Sequence, residues 1–312
     1  MRIAIEGAGV GGSYLYYLLS EKERNVDLYD ISQYYYKACG EAVPNIYMSK
    51  FPWKVIDEIH DFSFILDGKG LGEISYRRPK WVIIDKSGWI NSMREAGTSF
   101  IKGRLVNRSK YDIVIRAYGP YDTKRETVTV VRAIVKASPN EHKGVIFEFD
   151  SRFSGFYWIF PSQRGFYNVG GGFIGIKNPV EAVMQYIKRM FKQSSVLDLR
   201  GAPLTIGGVK NRELRIGEAR GLVYPLTGEG IRPAAISAER AFEAIEGSMD
   251  IDAYLEKKLA SLQGAIAFQR NILRLYSVLP ARIRQLAFRH LVNSEHFLDN
   301  YLVDEISPRA LI

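Results

Sequence analysis

The chain has 312 residues, of which 46% are hydrophobic, 25% charged and 12% aromatic, and it contains one cysteine. That balance excludes disordered, collagenous and disulfide-stapled chains and leaves a globular protein of one large or two modest domains. Basic side chains outnumber acidic ones 43 to 34, and the excess is C-terminal: Lys257 to Ser294 contains no Asp or Glu but holds Lys257, Lys258, Arg270, Arg274, Arg282, Arg284 and Arg289. Such a segment suits an anionic membrane surface or a lipid phosphate. Phe268, Tyr276 and Phe288 recur in it at helical spacing, which speaks against a strand-like platform for single-stranded nucleic acid, so no nucleic acid is expected as a partner. No apolar run approaches the roughly 18 residues of a membrane span, the N-terminus has no signal-peptide pattern, and the lone Cys39 requires no oxidising compartment. The expected location is cytoplasmic, with at most a peripheral place at the inner face of the membrane.

In chain order, Arg2 to Glu6 reads as a short buried strand ending in Gly7. A helix follows over Gly11 to Glu21, with Tyr14, Leu15, Leu18 and Leu19 on one face, and the chain returns as Val26-Asp27-Leu28-Tyr29-Asp30. This is a βαβ unit, whose crossover implies parallel strands. Asp57, Glu58 and Asp61 read as a solvated helix face. Trp81 to Asp85 reads as a strand, Ser87 to Ala96 as a helix, and Tyr111 to Ala117 as a further strand of the first sheet. From Glu126 the pattern becomes a meander of antiparallel strands over Thr127 to Val135, Gly144 to Phe149, Phe156 to Phe160 and Phe166 to Val169. Helices are expected over about 180–191 and 233–245, and again through 251–302 with a break near Pro280.

Gly7-Ala8-Gly9-Val10-Gly11-Gly12 fits G-x-G-x-x-G in the required place, after a strand and opening a helix. Gly7 permits the tight turn, Gly9 lets a pyrophosphate approach the backbone, and Gly12 packs helix on strand, while amides at the helix start face the anion. Asp30 ends the next strand, 18 residues beyond Gly12, where a carboxylate can hold ribose hydroxyls. An acidic residue there favours FAD or NAD over NADP. A second match at Gly170, Gly172 and Gly175 is followed by Lys-Asn-Pro and no helix, so it carries no such reading. The glycines of Gly217 to Ile231 precede a helix whose bare amides can stabilise negative charge, such as that of a reduced flavin.

Four blocks together resemble the geranylgeranyl reductase family of FAD-dependent oxidoreductases, a branch of the aromatic-hydroxylase-like flavoproteins. They are the dinucleotide turn with Asp30, Ala38-Cys39-Gly40-Glu41, the aromatic run Gly155-Phe156-Tyr157-Trp158-Ile159-Phe160-Pro161, and Gly217-Glu218-Ala219 through Gly230-Ile231. The resemblance implies an α/β fold in which a Rossmann-like FAD-binding domain (1–44, 81–120 and 211–248) is interleaved with an antiparallel-sheet substrate domain (45–80 and 121–210). A C-terminal helical segment (249–312) would follow. It implies FAD as cofactor, held by Gly7, Ala8, Gly9, Gly12, Asp30 and Ile31 at the adenosine end, then by Cys39, Gly40, Glu41, Lys86, Val106, Ala117, Gly119 and Glu218. Pro225, Gly228, Glu229, Gly230 and Ile231 would complete the flavin loop. Phe156, Trp158, Phe160 and Pro161 would line the substrate path.

The implied reaction is reduction of carbon-carbon double bonds of an isoprenoid lipid, with Cys39 as a candidate proton donor and electrons from NAD(P)H or a reduced carrier protein. Phe156 stands in place of the family's usual Tyr, and the chain is some tens of residues shorter than typical members, implying a reduced substrate half or tail. A flavin-dependent monooxygenase of a small or prenylated aromatic is the nearest alternative, and a degenerate flavin-binding protein the alternative of another class. Tyr34, Tyr35 and Tyr36 would cover the adenosine or flavin rim or simply pack. His60, His142, His290 and His296 have no metal-ligand spacing, so no metal is expected.

Overall fold

The computed structural model describes residues 1–32, 35, 37–121, 126–210 and 212–306. The N-terminal βαβ unit comprises β1 (Ile3–Glu6), α1 (Val10–Ser20) and β2 (Val26–Asp30). Next come the short β3 (Ala42–Pro44), β4 (Val55–Ile59), β5 (Asp61–Leu66), β6 (Lys69–Ser75) and β7 (Trp81–Ile84). They are followed by α2 (Lys86–Glu95), β8 (Phe100–Lys102) and β9 (Ile113–Arg116). The long strands are β10 (Thr127–Ala137), β11 (Val145–Phe149), β12 (Ser154–Pro161), β13 (Phe166–Ile174) and, beyond α3 (Pro179–Met190), β14 (Ser194–Thr205). Five helices close the chain: α4 (Ile231–Glu246), α5 (Ile251–Lys258), α6 (Ala260–Val278), α7 (Ala281–Val292) and α8 (Glu295–Leu302).

Three sheets result, with orders β8-β2-β1-β9, β14-β10-β13-β12-β11-β5-β6 and β3-β7-β4. The first is wholly parallel, with Ile5 between Leu28 and Ile115. Its β1 is flanked by β2 on one side and by β9, much later in sequence, on the other. That is a switch point, where open α/β sheets form their ligand crevice at the carboxyl ends of the strands. The small Tyr14, Leu15 and Leu19 face of α1 and the alanines of α4 bury each other in the same core.

The seven-stranded sheet departs from the expected meander in two ways. Of the four strands expected in the meander only β11, β12 and β13 follow one another as neighbours, and β5 pairs parallel with β11. Residues 55–75 are strands where the acidic cluster suggested a helix: Asp57 and Glu58 lie on β4 and Asp61 opens β5. Strand alternation decides it, since Phe62, Phe64 and Leu66 turn inward while their neighbours turn out. The strand β14 was also unforeseen, its exposed Leu197 and Leu199 hiding the alternation. Along β12 the two faces separate cleanly. Tyr157 and Ile159 pack beneath α3 with Tyr186 and Ile187, while Trp158 and Phe160 belong to an aromatic cluster with Phe64, Trp81 and Phe147.

Among the described residues no helix is long and apolar enough to cross a membrane.

Candidate active site

The carboxyl ends of β1, β2 and β9 are drawn together by backbone hydrogen bonds: Gly7 N donates to Tyr29 O at 2.7 Å and Ala117 N to Glu6 O at 2.7 Å. Ile216 N donates to Arg116 O at 3.1 Å, which brings the Gly217–Arg220 turn against the same edge. A cavity of about 700 Å³ opens there and runs on between the seven-stranded sheet and the C-terminal helices.

At the parallel-sheet end the cavity is walled by Gly7, Gly9, Asp30 and Ile31, with Val106, Ala117 and Gly119 beside them. Gly7 has φ +106°, and a Cβ there would strike the backbone of Ala117 and Tyr118 at 2.6 Å, so only glycine turns the chain this tightly. A Cβ on Gly12 would lie 1.8 Å from Gly7 O, which is the helix-on-strand contact. Gly9 is the opposite case: a Cβ there meets nothing within 4 Å and would stand in open space. Asp30 accepts from Ala8 N at 2.7 Å and from Ser32 N at 2.8 Å, so its carboxylate is pinned over the turn. Ala8 and Gly12 are buried behind the wall, and Pro161 ends β12 outside it.

The middle of the cavity is lined by Cys39, Gly40, Glu41, Lys86 and Glu218. Glu41 adopts φ +61°, strained for a non-glycine residue. A Cβ on Gly40 would meet the Phe160 ring at 2.5 Å, so this segment lies directly on the aromatic wall. Lys86, at the start of α2, is completely buried. Burial opposes its charge, but the neighbouring Cys39, Tyr35 and Glu41 outweigh it and hold the ammonium above its ordinary range. Burial in turn pushes the Glu41 carboxyl up, against the pull of Lys86, Arg132 and Arg200. Glu218 pairs with Lys37 and accepts from Thr205 N at 2.8 Å. Pro225, Gly228, Glu229, Gly230 and Ile231 form the next stretch of wall. The amides at the α4 start are not all bare, because Glu229 Oε1 accepts from Arg232 N at 2.7 Å.

At the far end Phe156, Trp158 and Phe160 line the cavity with Phe64, Phe147 and Phe149, and with Tyr276, Phe288, Phe297 and Tyr301 of the last three helices. Trp158 and Phe160 stack at 5.8 Å between ring centres. All three sequence-predicted aromatic residues that face inward thus stand in one chamber, continuous with the glycine turn.

No protein-family model matches the chain. A digeranylgeranylglycerophospholipid reductase of Methanothermobacter thermautotrophicus is 34% identical over 113 residues, 32% of this chain and 29% of that protein, so the match spans less than a third of the relative. The solved structure of a geranylgeranyl bacteriochlorophyll reductase-like protein from Thermoplasma acidophilum superposes with a TM-score of 0.75, covering 99% of this chain and 94% of its own at 14% identity. The chain shares the fold of that protein. The fold is shared more widely: a probable FAD-dependent monooxygenase from Pseudomonas aeruginosa superposes at a TM-score of 0.62 and 14% identity, over 92% of this chain and 99% of that one.

The residues present fit the FAD that such flavoproteins hold. The open space over Gly9 admits a pyrophosphate, and α1 starts there with no side-chain cap and no acidic residue in its first turn, leaving its amides to an anion. Asp30 keeps lone pairs for ribose hydroxyls beyond its two backbone donors.

Several residues of the site escape sequence reasoning. Arg94, buried in the last turn of α2, donates through Nε to Ala8 O at 3.1 Å and props the glycine turn from behind. Burial lowers its affinity for its proton. Asn168 on β13, 1% exposed, donates to Cys39 O at 2.8 Å and accepts from Trp158 Nε1 at 3.1 Å. One amide therefore ties the cysteine segment to the aromatic wall. Only the placement of a polar residue in an otherwise apolar strand could have flagged it. Of the tyrosine triple, Tyr35 lines the cavity beneath the Lys86 ammonium, 4.9 Å from its ring centre. Tyr34 and Tyr36 lie outside the described residues.

Proposed function

We propose that this chain is an FAD-dependent oxidoreductase that reduces carbon-carbon double bonds of an isoprenoid, geranylgeranyl-type lipid. The observation that carries the reading is the continuity of one cavity from the glycine turn to a chamber walled by aromatic rings. An apolar chain needs such walls, and the reductase named among the relatives acts, by its name, on a digeranylgeranyl lipid. FAD, when bound and reduced, would supply the hydride for one alkene carbon.

The remaining work belongs to the chain. Trp158, Phe160 and Phe156 hold the alkene in register and exclude water. Lys86 brings a buried positive charge to the middle of the cavity, and the α4 start adds the amides that Glu229 leaves bare. Cys39, which lines the cavity near Lys86, is the proposed donor of the proton to the second alkene carbon. Electrons arrive from NAD(P)H or a reduced carrier protein, and the enzyme works at the inner face of the membrane that holds its substrate.

The test is the absorption spectrum of the purified protein, identification of the cofactor released on denaturation, and anaerobic incubation with a geranylgeranyl lipid and a chemical reductant. Released FAD and a product heavier by one hydrogen pair per reduced bond are expected. A colourless protein that takes up no added FAD would overturn the reading. Oxygen uptake with an oxygenated aromatic product would move the chain to the monooxygenases of this fold, and bound FAD with no turnover would make it a degenerate flavin binder.

A further inference from the structure

The elbow between α6 and α7 is built unlike the rest of the surface. Leu275, Val278, Ile283 and Leu286 are 65%, 77%, 45% and 64% exposed within twelve residues of sequence. Isolated exposed apolar side chains need no explanation, but four large ones within twelve residues across one helical turnabout are more than water alone favours. Arg274, Arg282 and Arg289 are exposed among them. Arg282 and Arg289 make no ion pair among the described residues, and no acidic residue occurs between Lys257 and Ser294.

The two helices are apolar on both sides. Leu275 and Val278 look outward from α6 while Ile272, Leu273 and Tyr276 line the cavity; Ile283 and Leu286 look outward from α7 while Phe288, Leu291 and Val292 line it. The outward face combines aliphatic tips with a fringe of unpaired guanidinium groups, the chemistry of an interfacial helix on an anionic bilayer. A protein partner would have to supply both an apolar pocket and acidic groups, whereas a bilayer with anionic headgroups supplies both by its nature.

We infer that the α6–α7 elbow is the surface by which this protein docks on an anionic membrane, Leu275, Val278, Ile283 and Leu286 entering the acyl boundary and Arg282 and Arg289 meeting headgroup phosphates. The inference rests on the lipid-substrate reading only for its purpose: the cavity behind the docked helices then lies one helix thickness from the bilayer.

Co-sedimentation of the full chain with vesicles of phosphatidylglycerol in phosphatidylcholine, against phosphatidylcholine alone, tests it. Binding to the anionic vesicles that weakens with salt is expected, and Leu275→Asp with Leu286→Asp should reduce partitioning by about tenfold or more. Arg282→Gln with Arg289→Gln should flatten the salt dependence. Equal binding by the Leu275→Asp/Leu286→Asp protein and the unaltered one overturns the inference, as does absence of binding by the unaltered protein. So does a dimer in solution that the double substitution dissociates without change in vesicle binding, which would make the elbow a contact between copies. FAD content and reduction of a detergent-dispersed prenyl alcohol, read on the same preparations, separate the two claims. Their absence in an unaltered protein that docks sinks the proposed reaction, and an unaltered protein that turns over but does not bind the anionic vesicles sinks the elbow alone.

Discussion

The two ends of the cavity are made of different material. The glycine-turn end is made of backbone: Gly7, Gly9 and Gly12 contribute by lacking side chains, and the strands that carry them are fixed by parallel pairing of β1 with β2 and β9. The aromatic end is made of side chains gathered from β5, β11, β12 and three C-terminal helices. A site built from absent side chains tolerates no bulk where the cofactor lies, whereas a site built from rings is lost by subtraction. The two ends should therefore fail in opposite ways.

The largest effect is expected at the aromatic end. Trp158→Ala removes a 6% exposed ring stacked on Phe160 and leaves Asn168 short of a donor, at a cost of about 3 kcal/mol in stability. Chemical denaturation measures the loss, and turnover should fall further than flavin content. Full turnover in a destabilised protein would show that the ring is core and not substrate wall.

Gly9→Val tests the other end. Nothing lies within 4 Å of the added Cβ, so the protein should melt as before, yet its FAD affinity should fall about a hundredfold, or about 2.7 kcal/mol, because the side chain takes the space of the pyrophosphate. Cofactor titration followed by flavin fluorescence reads it directly. Unchanged affinity would mean that the turn binds no pyrophosphate.

This contrast also explains what could be read in advance. The glycine turn, Asp30 and the βαβ unit are local in sequence, and Gly7 and Gly12 state backbone requirements that the structure repeats. The spacing of Trp158 and Phe160 along a strand likewise implies a shared face, because strand geometry alone fixes it, and Phe156 joins them there. The chamber's other walls were illegible. Phe64 and Phe147 meet only because β5 pairs parallel with β11, across some eighty residues of chain, and nothing in either strand names its partner. Asp57 and Glu58 misled for the same reason: charges on a strand at a sheet's rim resemble charges on a helix until the partner strand is known.

Asn168 ties the middle of the cavity to its aromatic end and should show an intermediate effect. Asn168→Ala orphans the Cys39 carbonyl and the Trp158 indole N–H, both in buried surroundings, for about 2 kcal/mol. Flavin affinity should hold, since no phosphate contact is touched, while turnover should fall if the cysteine segment must keep its place against the ring. Thermal melts paired with single-turnover reduction distinguish the two readouts, and loss of flavin without loss of turnover would break the assignment of Asn168 to the join.

The smallest effect is expected behind the flavin loop, where the chain's last described turn meets it. Asp304 is buried with φ +61°, accepts from Thr227 Oγ1 at 2.5 Å, and shares Arg232 with Glu229. Burial, reinforced by the charge of Glu229, pushes the Asp304 carboxyl well above its ordinary range. Its folded form therefore holds a proton that the unfolded chain releases at an ordinary carboxylate pH. In the window between those two values the native state binds more protons, so stability falls as pH rises through it. Asp304→Asn removes that proton uptake and keeps the shape of the side chain, so the fall in melting temperature from acid toward neutral pH should become shallower without disappearing, because Glu229, also raised by burial, still titrates there. Melting curves across that range decide it: an unchanged slope would place the loop's acid sensitivity on Glu229 alone and leave Asp304 as a latch held by Arg232 and Thr227 at every pH.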